Sequence, residues 1–124
     1  MDAIEIEGTG DKPKVILDKS KGVFLIAERS LPEDAVSFYT PIFDWINEYA
    51  KNPNPVTDFK FTLEYFNTAS SKQIFKLLSQ LEAVSKVSDL TVLWYYDKED
   101  KDMLSVGERY AKLVNVKFSL LENS

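Results

Sequence analysis

Three hydroxyls and an amine gather in the run EYFNTASSK, Glu64 to Lys72, where Asn67 is followed by Thr68, Ser70, Ser71 and Lys72. A hydroxyl in such a run has two uses. It can cap a helix by accepting a hydrogen bond from one of the free N–H groups of the first turn. Alternatively, it can carry a phosphate, which adds charge and strong acceptor oxygens at that position. No Asp or Glu occurs from Tyr65 to Leu81, although the chain holds 20 acids among 124 residues. Helices favour acids in the first turn because the unpaired N–H groups carry partial positive charge. Here hydroxyls and a lysine stand in their place, an arrangement suited to an anion that arrives from outside. On spacing alone both readings stay open: an ordinary Asn or Thr cap, and a site for an anion or a covalent phosphate.

Other residue types exclude more than they offer. The chain has no cysteine and no histidine, which removes disulfides, thiolate zinc sites, imidazole bases and thiol nucleophiles. Asp97, Glu99, Asp100 and Asp102, with Lys98 and Lys101 between them, invite a metal reading. They lack the glycine and distal glutamate of an EF-hand loop, so a solvated helix-capping loop is expected, with an acidic partner-binding patch as the next reading. Gly8-Thr9-Gly10 reads as a turn, and no glycine-rich phosphate loop is present. Trp45 and Trp94 are expected in the core, Tyr95 on the strand face opposite Trp94, and Phe66 on the polar face of its strand. An outward phenylalanine just before Asn67-Thr68 would serve an interaction surface. No catalytic constellation emerges, and neither a metal nor a cofactor is expected.

The elements that position the hydroxyl run follow from hydrophobic period. Phe59, Phe61, Leu63 and Tyr65 alternate, giving a strand over Thr57 to Phe66. Ile74, Leu77, Leu78 and Leu81 then recur at helical spacing, giving a helix over about Ala69 to Lys86. The hydroxyls therefore fall at a strand-to-helix turn. Upstream, three strands are expected at Ala3 to Glu7, Lys14 to Asp18 and Val23 to Glu28, the last two joined as a hairpin across Lys19 to Gly22. Val23 to Ala27 is apolar throughout, as expected of a strand buried on both faces. Ser30 and Glu33 have capping-box spacing and predict the start of a first helix whose stripe is Val36, Tyr39, Phe43, Ile46 and Tyr49. Pro41 lies inside that stripe and predicts a kink or break. Downstream, a strand at Leu90 to Tyr96, a third helix ending near Val114 and weakened by Gly107, and a strand at Val116 to Leu121 complete the order βββαβαβαβ. Helical crossovers favour parallel pairing, so a mixed sheet of the α/β (α+β) class is expected.

A chain of 124 residues that is 44% hydrophobic is expected to form one domain, 1–124, with a sizeable core. The net charge of -5 and the absence of a basic block argue against nucleic-acid binding. No apolar run reaches the roughly 20 residues of a bilayer span, and the N-terminus has no signal-like core, so membrane insertion is not expected and a cytoplasmic location is.

EYFNTASSK, with RSLPEDAVSFYTPIFDWINEY (Arg29 to Tyr49) and VLWYYDKEDKDML (Val92 to Leu104), resembles the SiaC family of bacterial regulatory phosphoproteins in order and approximate spacing. The resemblance covers nearly the whole chain and implies a fold similar to STAS domains, the class of anti-sigma-factor antagonists. It also implies that Thr68, the threonine after Phe66-Asn67, is the phosphorylated residue. A dedicated SiaB-like protein kinase would add the phosphate and a PP2C-type phosphatase would remove it. The unphosphorylated form would bind and activate a diguanylate cyclase or another effector. Glu64, Phe66, Asn67, Ser70, Ser71 and Lys72 would then surround the phosphosite and contribute to partner binding. Two other readings stand beside this one: a constitutive binding module without phosphorylation, and a small acid-base or metal-assisted enzyme built on the Asp97 to Asp102 loop.

Overall fold

The computed structural model describes residues Met1 to Ser124. Strands β1 (Ile4–Ile6), β2 (Lys14–Asp18) and β3 (Val23–Ser30) form an antiparallel meander. Helix α1 (Ala35–Lys51) leads to β4 (Val56–Phe66), α2 (Thr68–Ser85) to β5 (Asp89–Tyr96), and α3 (Lys101–Leu113) to β6 (Lys117–Glu122). The three crossover strands add in parallel, so the sheet is mixed with order β1-β2-β3-β4-β5-β6. The expected element order and mixed sheet are therefore present.

Each crossover steps one strand in the same direction. Right-handed connections then place every helix on the same side of the sheet. The core follows: Val15, Leu17, Phe24, Ile26, Phe59, Phe61, Leu90, Val92 and Trp94 alternate inward along their strands and meet Tyr39, Ile42, Ile46, Ile74, Leu77 and Leu81 of the helices. Trp45 and Trp94 are both in this core, as their spacing predicts. The opposite face has no helix over it. Leu25 is only half-buried and Val23 is exposed, so the apolar run of β3 does not mark a strand covered on both faces. Its apolar outer residues instead lie on a sheet face that stays partly wet.

Two further expectations change. Ser30 does not cap α1, because β3 continues to Ser30 through pairing with Phe66. Ser30 points inward instead, and Asp34 caps the helix by accepting from Ser37 N at 3.1 Å and from Ser37 Oγ at 2.8 Å. Pro41 does not break α1, which runs unbroken from Ala35 to Lys51 with the proline on its exposed side. Val36, expected in the apolar stripe, is 60% exposed.

Gly107 is more than a weak point in α3. A Cβ there would stand 2.5 Å from Trp94 Cδ1 and 2.7 Å from Leu120 Cδ2. The missing side chain lets α3 lie directly on β5 and β6.

Candidate functional site

The carboxyl ends of the parallel strands form one rim of the molecule, where α/β sheets usually place ligands and partners. β3 ends there at Ser30, β4 at Phe66 and β5 at Tyr96. The hydroxyl run follows β4 immediately. Asn67 is the N-cap of α2, its side-chain oxygen accepting from Ser70 N at 2.9 Å, and Thr68 is the first residue of the helix. The Asn-cap reading and a modifiable hydroxyl are thus compatible, because they fall on different residues.

The three hydroxyls differ sharply. Ser70 is fully buried and accepts from Ser30 Oγ at 2.9 Å, while Ser30 lies 2.7 Å from Tyr39 Oη. Ser30 has one proton and gives it to Ser70, so the Tyr39 O–H donates to Ser30. This chain ties β3, α1 and the start of α2 together. Burial, partly offset by the Ser30 contact, pushes the Tyr39 phenol up to about 12 and keeps it protonated. Ser71 is half-buried; its hydroxyl donates to the Thr68 carbonyl at 2.9 Å and its own carbonyl accepts from Tyr110 Oη at 3.0 Å. Burial raises the Tyr110 phenol as well, so that donor also keeps its proton. Thr68 alone of the three is exposed.

Thr68 lines a depression of about 220 Å³ with Phe66, Asn67, Ser71 and, from α3, Val106, Arg109 and Tyr110. Arg109 was not foreseen from sequence. The chain has only two arginines, and the Val106-Tyr110 pair at helical spacing places Arg109 beside the core-facing stripe of α3, so a faint signal existed. Lys72 lies elsewhere, in a separate depression with Glu33, Asp34, Ala69 and Gln73 toward α1. Glu64 lies in a third depression of about 170 Å³, with Tyr65, Phe66, Asp100, Asp102, Met103 and Val106. Phe66 and Val106 are shared between that depression and the one at Thr68, so the two form neighbouring parts of one groove. Of the expected site residues, the groove collects Glu64, Phe66, Asn67, Thr68 and Ser71, while Ser70 lies beneath it and Lys72 to one side.

Phe66 is not the outward residue that alternation predicts. The β3–β4 register shifts between Glu28 and Arg29: Glu28 pairs with Leu63 and Arg29 with Tyr65, which leaves Glu64 as an extra residue. Glu28 takes the left-handed conformation at the same point, with φ 73°. Such a bulge reverses which side chains face inward beyond it. Phe66 accordingly turns to the core and meets Trp94 edge-on at 6.3 Å, whereas Tyr65 is 49% exposed with Arg29 over its ring at 5.5 Å. Tyr65 is therefore the exposed aromatic of this stretch, and Phe66 is half-buried in the groove.

The acidic loop after β5 provides a cap. Asp100 accepts from Met103 N at 2.9 Å at the start of α3, and Asp97 accepts from Asn123 Nδ2 at 2.8 Å. No group of three or more acidic residues is arranged to hold a metal ion.

The profile of the SiaC family regulatory phosphoproteins matches residues 6–123. The chain belongs to the SiaC family. SiaC of Pseudomonas aeruginosa superposes with a TM-score of 0.88 at 21% identity, covering 99% of this chain and 100% of that one. A crystal structure of the diguanylate cyclase SiaD in complex with its activator SiaC, also from Pseudomonas aeruginosa, contains a chain that matches with a TM-score of 0.88 at 20% identity, over 97% of this chain and 99% of that one. An uncharacterised protein of Pseudomonas aeruginosa strain UCBPP-PA14 is 22% identical over 121 residues, 97% of this chain and 96% of its own length. SiaC membership gives the chain a regulatory rather than a catalytic role. No helix is long and apolar enough to cross a membrane.

Proposed function

We propose that this chain is a phosphorylation-controlled partner-switching protein whose switch residue is Thr68. A SiaB-like kinase transfers the γ-phosphoryl group of ATP to the Thr68 hydroxyl, with ADP leaving and the hydroxyl proton passing to the kinase. A PP2C-type phosphatase hydrolyses the ester back to threonine and inorganic phosphate. The unmodified form binds and activates a diguanylate cyclase, as the SiaC of the solved complex does for SiaD.

One observation carries the choice of residue: Thr68 is exposed at the rim, while Ser70 is sealed in the core and Ser71 is tied to the helix backbone. A kinase must enclose the accepting hydroxyl, and of the three residues only Thr68 is exposed. The groove beside it supplies a surface with an apolar floor, carboxylates at one end and a guanidinium at the other. A phosphate adds about -1.5 to -2 charges at Thr68. A partner seated over that position would have to bury the added charge, which costs several kcal/mol where it is not fully compensated, so the modified form releases the partner without refolding.

Mass spectrometry after incubation with the cognate kinase tests this directly. The expected result is one phosphate on Thr68 and none on a Thr68→Ala variant. Phosphate on Ser71, or on Thr68→Ala at the normal rate, contradicts the assignment.

A further inference from the structure

We propose that Arg109 is the residue that receives a phosphate on Thr68, pinning the modified side chain into the cleft between α2 and α3. The inference rests on Thr68 being the modified residue and adds the group that holds the modification. Arg109 and Thr68 line the same depression, and no carboxylate lines it with them. The guanidinium forms no ion pair; the two ion pairs of the structure, Lys51–Glu48 and Lys117–Asp89, lie elsewhere. The other arginine, Arg29, is engaged over the Tyr65 ring. The neighbour of Arg109, Tyr110, donates to the Ser71 carbonyl at 3.0 Å, so α3 is fastened to α2 beside the guanidinium. Gly107 fixes the same stretch of α3 against Trp94 from beneath. Arg109 thus carries an exposed guanidinium on a fixed base.

A guanidinium offers planar, paired donors that match phosphate oxygens, which an ammonium cannot do. Lys72, the cation expected from sequence to assist, shares its depression with Glu33 and Asp34 instead. The other charges around the site are Glu64, Asp100 and Asp102 in the neighbouring depression and Glu108 next to Arg109 in sequence. Glu64, Asp100 and Asp102 repel a phosphate from the Glu64 end and leave Arg109 as the cation it meets. Modification then changes two groups at once. It adds a dianion and withdraws the one guanidinium that the groove offers to a partner.

Phosphothreonine installed at position 68 during synthesis tests this without a kinase. The phosphate is followed by phosphorus NMR across pH in wild type, Arg109→Gln and Arg109→Lys. Its second ionisation, ordinarily near 6, should fall by roughly half a unit or more in the native protein relative to the same chain in urea, because an adjacent cation favours the dianion. Arg109→Gln should abolish most of that fall and Arg109→Lys should keep part of it. Equal titration in wild type and both variants overturns the proposal. If Arg109→Gln does not fold, as read by circular dichroism, the lysine variant decides: a shift as large as wild type overturns the role of the fork. A kinase that ignores Thr68 would count against the phospho-switch reading and leave this titration unaffected.

Discussion

At the scale of single residues, the start of α2 gives neighbouring hydroxyls different surroundings. Thr68 is open, Ser71 serves the backbone, and Ser70 completes a buried chain with Ser30 and Tyr39. Ser70→Ala should therefore leave phosphorylation intact and cost stability. Loss of the buried acceptor leaves the Ser30 proton unpaired, a penalty of about 1–3 kcal/mol in a denaturant melt. Thr68→Ala should do the reverse, with unchanged melting and no phosphate. Thr68→Asp should imitate the modified state only in part, because a carboxylate carries less charge and fewer acceptors than a phosphate. A pull-down with the partner should rank the forms wild type, then Thr68→Asp, then phosphorylated protein.

At the scale of elements, the turn from β4 into α2 sets where Thr68 stands. Asn67 holds the first turn of α2 by accepting from Ser70 N, and its own N–H donates to the Ser30 carbonyl at 3.2 Å. Asn67→Ala should cost about 1 kcal/mol, the usual loss for a cap, and should speed amide exchange in the first turn of α2. On the far wall, Gly107→Ala sets two effects against each other. Alanine gains roughly 1 kcal/mol of helix propensity over glycine, but a methyl pressed into Trp94 and Leu120 costs typically 1–3 kcal/mol of overpacking. The contact is with an indole and a packed leucine, so overpacking should win and the melting temperature should fall.

These elements also show how far the sequence could be read. Hydrophobic period located every strand and helix to within a few residues, because a single-sided sheet enforces alternation wherever it is regular. It failed where the sheet is irregular. The bulge at Glu64 has no signature in composition, and it exchanged the roles of Tyr65 and Phe66. Ser30 and Asp34 both have capping chemistry, and only the long-range pairing of Ser30 with Phe66 keeps β3 extended past the first candidate. Arg109 lines the depression through packing of α3 against α2, a relation at which the Val106-Tyr110 spacing only hints.

For the whole molecule, the common side of the three crossovers gathers the helices over one core, and parallel pairing brings the carboxyl ends of β3, β4, β5 and β6 to one rim. The same rim holds the buried Tyr39 network, which gives the fold a dependence on alkaline pH. Tyr39 titrates near 10 when unfolded and is pushed up to about 12 by burial in the native state. Between those values the unfolded chain has released the proton and the native one has kept it, so stability is full below pH 10 and falls as pH rises toward 12. Tyr110 is shifted in the same direction and adds to the slope. Urea melts across that window should show a loss on the order of 2 kcal/mol, made smaller by Tyr39→Phe.

The rim has consequence only if its charge governs association. The most direct measurement is the affinity of this chain for a diguanylate cyclase partner, compared by calorimetry between unmodified protein and protein with phosphothreonine at position 68. Binding weakened by at least about tenfold, equivalent to 1.4 kcal/mol, with unchanged circular dichroism, is the predicted result. Equal affinity of the two forms would contradict the account and leave the chain a constitutive binding module.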